Sequence, residues 1–159
     1  MIFHIITIFP EMFDSYLNES IVARARKEKK ITVKFYNPRD FTKDKHRRID
    51  GSPYGGGPGQ VLQAEPILRA VQKARGKKKR IKVYLLSPNG KEFTNKVARS
   101  LIASHTDVIL IAGRYEGVDA RVKRILRAEE ISVGPYVLTG GELPAMVIID
   151  AVARQIKGV

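Results

Sequence analysis

A chain of 159 residues, 43% hydrophobic and 28% charged, has the composition of one soluble globular domain rather than a disordered one. It contains no cysteine, which excludes a disulfide framework, a thiolate metal site and a cysteine nucleophile. Lys and Arg outnumber Asp and Glu 29 to 16, giving a formal charge of +13, and 19 of those cations lie in residues 1–82 against eight carboxylates. A field of that sign raises encounter rates with polyanions and makes their binding salt-sensitive, so nucleic acid is the expected partner class. His4, His46 and His105 stand far apart, and no metal site is expected. The apolar start, Met1 to Phe9, lacks a basic leader and runs into Pro10-Glu11, unlike an export signal. No apolar run reaches the roughly eighteen residues that span a bilayer. The expected compartment is the cytoplasm, with no membrane partner.

In chain order, Ile2 to Phe9 reads as a strand of β-branched and aromatic residues, and Pro10 to about Lys30 as a helix with proline in its first turn. A second strand is expected over Ile31–Tyr36. Residues 39–63 follow without a periodic pattern; structureless stretches of that length in compact domains are usually functional. A helix over Glu65–Arg75 pairs Ile67 with Val71. Strands are expected at Ile81–Leu86, Val108–Ala112 and Glu130–Val133. Between them, Glu92–Ser104 sets Phe93, Val97 and Leu101 at i, i+4, i+8, and Ala120–Arg127 carries Val122, Ile125 and Leu126. The last helix, Glu142 to about Ile156, has a stripe of Leu143, Val147 and Ala151 beside Asp150 and Arg154. Strands apolar on both faces, alternating with helices, argue an α/β fold with a mostly parallel sheet flanked by helices. Lys77-Lys-Lys-Arg80 reads as a solvated turn.

The loops carry the candidate chemistry. Gly51-Ser-Pro-Tyr-Gly-Gly-Gly-Pro-Gly59 has Gly or Pro at seven of nine positions. No Gly-Lys-Ser/Thr follows it, and Gly113-Arg-Tyr-Glu-Gly117 has the wrong spacing for a dinucleotide fingerprint. Both therefore argue against triphosphate hydrolysis and nicotinamide cofactors. Glycine loops offer close backbone approach and free peptide groups. In a parallel sheet, Ser87–Gly90, Gly113–Gly117 and Gly134–Gly141 would all emerge at the C-terminal edge, where open α/β sheets bind ligands. Three such loops without a phosphate site suit a nucleoside better than a nucleotide. Arg47 and Arg48, within Asp44–Asp50, are either part of a solvated charge run or phosphate contacts, and Tyr54 offers a face to an unstacked base. Asp150 and Arg154 are spaced for a surface ion pair, and Glu142 for first-turn dipole compensation. No Ser-His-Asp arrangement can be assembled.

Five ordered words sharpen this: Ile6-Thr-Ile-Phe-Pro-Glu-Met-Phe13, Pro38-Arg-Asp-Phe-Thr42, Pro53-Tyr-Gly-Gly-Gly-Pro-Gly59, Leu110-Ile-Ala-Gly-Arg-Tyr-Glu-Gly-Val-Asp119 and Gly134-Pro-Tyr-Val-Leu-Thr-Gly-Gly-Glu-Leu-Pro-Ala-Met146. Together they make the chain resemble, from end to end, the bacterial tRNA (guanine-N1)-methyltransferases, the TrmD type of the SPOUT superfamily. The resemblance implies methyl transfer from S-adenosyl-L-methionine to N1 of guanosine 37 of tRNA, a deep C-terminal trefoil knot, and a homodimer with active sites at the subunit interface. It implies a cofactor pocket of Pro88, Gly113, Val133, Gly134, Tyr136, Val137, Leu138, Gly140, Gly141 and Pro144. Arg154 is implied as the donor to guanine O6, with Glu116 and Arg114 holding cofactor and guanine. Tyr54, Gly55, Gly56, Gly57 and Gly59, with Arg47 and Arg48, are implied on the substrate side. Residues 1–159 are expected to form the methyltransferase domain. The family's aspartate base and its helical tRNA-binding domain lie beyond Val159, so impaired catalysis is expected of the chain as written. A non-catalytic knotted dimerisation and RNA-binding module is the alternative, and a SPOUT enzyme for a different RNA a third reading.

Overall fold

The computed structural model of the chain describes all residues except 53–55 and 57. A five-stranded parallel sheet forms its centre, in the order β2-β1-β6-β5-β7. Its strands are β1 (Ile2–Ile6), β2 (Thr32–Tyr36), β5 (Ile81–Glu92), β6 (Asp107–Ile111) and β7 (Glu129–Ser132). A two-stranded antiparallel pair, β3 (Asp50–Gly51) and β4 (Val61–Leu62), lies outside it. The helices are α1 (Asp14–Leu17), α2 (Ser20–Lys27), α3 (Ala64–Arg75), α4 (Asn95–Ser104), α5 (Ala120–Leu126) and α6 (Glu142–Ala153). Among the described residues, no helix is long and apolar enough to cross a membrane.

Alternation along the strands explains the two layers. On β1, Phe3 and Ile5 face a core shared with α1, α2, α4 and α6, whereas Ile6 faces one shared with α3 and α5. Val108 and Leu110 of β6 join the first core, and Ile109 and Ile111 the second. All five residues of β6 are buried, as expected for a strand covered on both faces. Each large apolar side chain sealed this way stabilises the fold by about 1.5–3 kcal/mol.

The expected elements are present with shifted ends. β1 stops at Ile6, and the single helix expected over residues 10–30 is three pieces: a 3-10 turn at Pro10–Phe13, then α1, then α2. Ser20, with φ of 54°, makes the break before α2. The α4 helix begins only at Asn95, because Thr94 caps it by accepting the Val97 N–H at 3.4 Å. Glu92 pairs instead with Ser132 of β7. The pattern-free stretch 39–63 contains the β3–β4 pair, and Gln63 N–H donates to the Ile49 carbonyl at 2.7 Å. The basic run ahead of β5 is more than a solvated turn. Arg80 caps the end of α4, donating to the carbonyls of Ser104 and Ala103 at 3.2 and 3.3 Å.

One local feature shapes the cleft edge. Leu86 and Lys91 both stand opposite Ile131, so residues 87–90 bulge out of β5 between two stretches of pairing. Gly90 there lies against the backbone of Glu130 and Ile131, where a Cβ would collide with main chain.

His4 is a core histidine. It is fully buried, with Nε2 2.7 Å from Asp107 Oδ1 and Nδ1 3.3 Å from the Tyr36 hydroxyl. A neutral ring protonated at Nε2 donates to Asp107 and accepts from Tyr36. Burial pushes its pKa below the ordinary 6.5, outweighing the pull of Asp107. The unfolded chain therefore takes up a proton near pH 6.5 that the folded chain resists. Stability is complete above that pH and is lost as the pH falls below it. His105, also pushed down by burial, adds with the same sign. The urea midpoint is expected to decline from pH 6.5 to 5, and a His4→Gln, His105→Gln double variant to flatten that decline.

Candidate functional site

Because the five strands are parallel, the segments leaving β5, β6 and β7 meet at one edge and enclose a cleft of about 390 Å³. Its walls come from residues 85–89, 113–118, 130–133 and 136–141, with Pro144 of α6. Pro88, Gly113, Val133, Tyr136, Val137, Leu138, Gly140, Gly141 and Pro144 all line it. Gly134 does not. It sits behind Tyr136, whose ring occupies the space a Cβ would need, and Ser132 Oγ holds it by donating to its carbonyl at 2.8 Å. Tyr136 in turn donates from its hydroxyl to the Val133 carbonyl at 3.2 Å.

Two glycines are dictated by close approach. Gly141 N–H donates to the Gly113 carbonyl at 2.9 Å, and a Cβ on Gly141 would lie 2.6 Å from Ala112 Cα. A side chain at Gly140 would collide with Arg114. Tyr115 takes a left-handed φ of 60° in the β6 loop, which is unusual for a bulky residue and typical of functional loops.

Glu116 lines the cleft, is exposed, and packs against Gly59. Its N–H donates to the Gln60 carbonyl at 3.0 Å, while Leu62 N–H donates to Gly117 and Asp119 N–H to Leu62. These bonds fasten the end of the glycine-rich stretch to the β6 loop. Asp119 also caps α5 and, held by hydrogen bonds from Arg121, sits below the usual carboxylate range. Gly56 and Gly59 have left-handed φ values of 82° and 94°. Tyr54, Gly55 and Gly57 lie outside the described residues. Arg47 and Arg48 are exposed away from the cleft lining. Arg47 faces Asp40 at 3.6 Å, and Arg48 gives its backbone N–H to Asp44, which also accepts from His46.

Arg154, like Arg47 and Arg48, is an expected residue that lies outside the cleft lining. It is exposed at the C-terminal end of α6, ten residues beyond Pro144 and so about 15 Å further along the helix axis. Its spacing with Asp150 produces no ion pair among the described residues. Asp150 instead accepts the Tyr16 hydroxyl proton, which holds the phenol's pKa above its ordinary value.

Residue spacing also missed a buried cluster. Glu142 stands in the first turn of α6 as expected, but it is also fully buried: Oε1 accepts from Thr7 Oγ1 and Oε2 from Arg114 Nε, each at 2.8 Å. A carboxylate directly ahead of the apolar run Leu143–Ile149 is the one available signal, since buried acids are almost always paired. Ser87, Asn89 and Thr139, from the loops expected at this edge, also line the cleft, as do Glu130 and Ser132 of β7, which no loop pattern marks.

Fold and site together define an α/β domain with a cleft at the C-terminal sheet edge, between main-chain-rich loops. The family model for tRNA (Guanine-1)-methyltransferase TrmD matches residues 1–159, and the chain belongs to that family. It is 49% identical over 158 residues to a tRNA (guanine-N(1)-)-methyltransferase of Pseudoalteromonas atlantica, covering 99% of this chain and 59% of the relative. It is 54% identical over 155 residues to the Dictyoglomus turgidum protein of that name, covering 98% and 62%. The crystal structure of tRNA (m1G37) methyltransferase from Aquifex aeolicus superposes with a TM-score of 0.88 at 38% identity, over 100% of this chain and 71% of the other. The chain thus spans about three-fifths of the length of these curated relatives.

Proposed function

We propose that residues 1–159 act as the methyltransferase domain of an S-adenosylmethionine-dependent enzyme that methylates N1 of guanosine 37 in tRNA. The observation that carries this reading is the character of the cleft. Its walls combine peptide groups of Gly113, Gly140 and Gly141 with exposed apolar surface, Val137 being 82% and Tyr136 54% exposed, and with the uncharged polar side chains of Ser87, Asn89, Ser132 and Thr139 and the carboxylates of Glu116 and Glu130. Among the described lining residues the cation is Arg114, and its nitrogens are bonded inside the protein. A cofactor that is a nucleoside without phosphate fits such walls, and the volume suits a small ligand. The net charge of +13 suits a polyanionic substrate.

When bound, S-adenosylmethionine supplies a methyl group on a positively charged sulfur. The chain's own residues must then orient guanine N1 toward it and stabilise the charge that grows on O6 as the N1 proton passes to a general base. Glu116, at the cleft mouth and against Gly59, is placed to orient an entering base. Arg154 serves as the O6 donor from a second copy of the chain, since within one copy α6 holds it away from the cleft. What supports a homodimer is an exposed apolar face: Leu143 and Val147 of α6 are 54% and 43% exposed, and Met12 and Tyr16 beside it are 45% and 44%. Patches of this kind mark interaction surfaces.

The test is transfer of labelled methyl groups to a tRNA transcript, beside calorimetry with S-adenosylmethionine. The expected result is cofactor binding by this chain and, once the segments that complete the relatives' length are supplied, label that disappears when guanosine 37 is changed to adenosine. No heat at millimolar cofactor overturns the reading. Binding without label, even on supplying the segments that complete the relatives' length, supports the non-catalytic module. A Leu143→Asp, Val147→Asp variant is expected to sediment as a monomer and to lose at least about tenfold in transfer.

A further inference from the structure

Arg114 stands in the cleft lining, yet its hydrogen bonds run away from any ligand. Nε donates to Glu142, one terminal nitrogen to the Thr139 carbonyl at 3.3 Å, and the other to Met12 Sδ at 3.0 Å. The guanidinium also lies over the Phe9 ring, 4.9 Å from its centroid. Behind it, Glu142 is fully buried with Thr7 on its other oxygen, and Thr7 Oγ1 accepts the Phe9 N–H at 3.0 Å. Three segments distant in sequence meet here: the end of β1, the loop after β6 and the start of α6.

The geometry points to Thr7 and Glu142 as positioning residues: they fix Arg114 as a clamp that holds the 139–141 wall of the cleft in its ligand-ready place. Three physical arguments carry this. A buried carboxylate must be compensated, and Arg114 is the cation within its reach, so the pair sets the side chain's direction. A guanidinium offers several donors in one rigid plane, so fixing Nε also fixes the two outer nitrogens on Thr139 and Met12. Finally, the wall is thin: residues 140 and 141 are glycines pressed on Arg114 and on Ala112–Gly113, so displacing the clamp releases the wall. Arg114 thereby acts through the wall rather than by contacting guanine. Where the wall's purpose is concerned, this rests on the cofactor reading above.

The test compares Thr7→Val, which removes the O–H at nearly constant shape, with Thr7→Ser, which restores it, and with Glu142→Gln. One readout is amide hydrogen exchange at Gly141, whose N–H is bonded to Gly113, beside the β6 amides of residues 108–111. The other is calorimetric affinity for S-adenosylmethionine. In Thr7→Val, exchange at Gly141 is expected to quicken about tenfold with β6 unchanged, and affinity to fall about tenfold. Thr7→Ser is expected to recover both. Should Glu142→Gln fail to fold, the threonine pair decides alone. Equal acceleration at Gly141 and β6, or no change at Gly141, overturns the clamp. Affinity unchanged despite faster exchange overturns the wall's link to the ligand. If the unmodified chain binds no S-adenosylmethionine, the cofactor reading fails while exchange still decides the clamp.

Discussion

Alanine at Gly90 is expected to destabilise the protein by at least about 3 kcal/mol, enough to leave much of it unfolded at 37 °C. The reason is the nature of the obstacle. A Cβ there would lie 2.6 Å from Ile131 Cα and nearer still to the atoms of the adjoining peptide, and main chain inside a sheet cannot rotate aside as a side-chain end can. Relief would require the 87–90 excursion to lift off β7, breaking the pairing at Lys91 and Glu92 and the Phe93-to-Ser132 hydrogen bond of 2.7 Å. Gly51 is the control. It too is a strand glycine, but the nearest atom to its added Cβ is Gln63 Nε2 at 3.6 Å, an ordinary contact. Urea unfolding of both variants checks the contrast, and a Gly90→Ala midpoint equal to that of Gly51→Ala would show the crossing to be slack.

Alanine at Gly141 should damage binding far more than folding. Its methyl group would meet Ala112 Cα at 2.6 Å and Gly113 N at 3.0 Å, prising apart two walls of the cleft that are joined by the Gly141-to-Gly113 hydrogen bond. These loops lie at the sheet edge, so they can separate at a stability cost of about 1–3 kcal/mol. The peptide groups a ligand must reach would then be displaced by a large part of an ångström. We expect S-adenosylmethionine affinity to drop at least about 100-fold, because several hydrogen bonds are misaligned at once. Calorimetry paired with a thermal melt separates the effects. Full affinity with a lowered melting point would contradict this account of the cleft.

The parallel sheet was readable because β1, β5 and β6 are apolar on both faces, a pattern that a half-solvated sheet does not produce. The cleft followed from it, since Pro88, Gly113 and Gly140 all come after strands running the same way. What stayed hidden depends on contacts distant in sequence. Thr7 and Glu142 are 135 positions apart, and no local pattern announces that one donates to the other. The resumption of pairing at Lys91, after four bulged residues, has the same origin: it is set by Ile131 and not by the propensities of Ser87–Gly90. Helix ends were misjudged where one residue overrode the pattern. Ser20 breaks the α1–α2 stretch, and Thr94 starts α4 later than the apolar spacing of Phe93 suggests. Arg154 is a different case: it stands exposed at the end of α6, and the role proposed for it draws on a second copy, which the pattern of one chain does not spell out.

The position of β1 has a consequence for how the protein is made. It precedes both its neighbours in the chain, yet it lies inside the sheet between β2 and β6. With β2 complete at Tyr36 and β6 starting at Asp107, one hydrogen-bonding edge of the newborn hairpin-sized unit has no mate until some seventy further residues are translated. At bacterial to eukaryotic elongation rates that is roughly 4–14 s. During that interval Phe3, Ile5 and Ile6 present an open, adhesive rim to any neighbouring nascent chain. Fast, uninterrupted translation until β6 has emerged from the ribosome therefore favours soluble product, and pauses before that point favour aggregation.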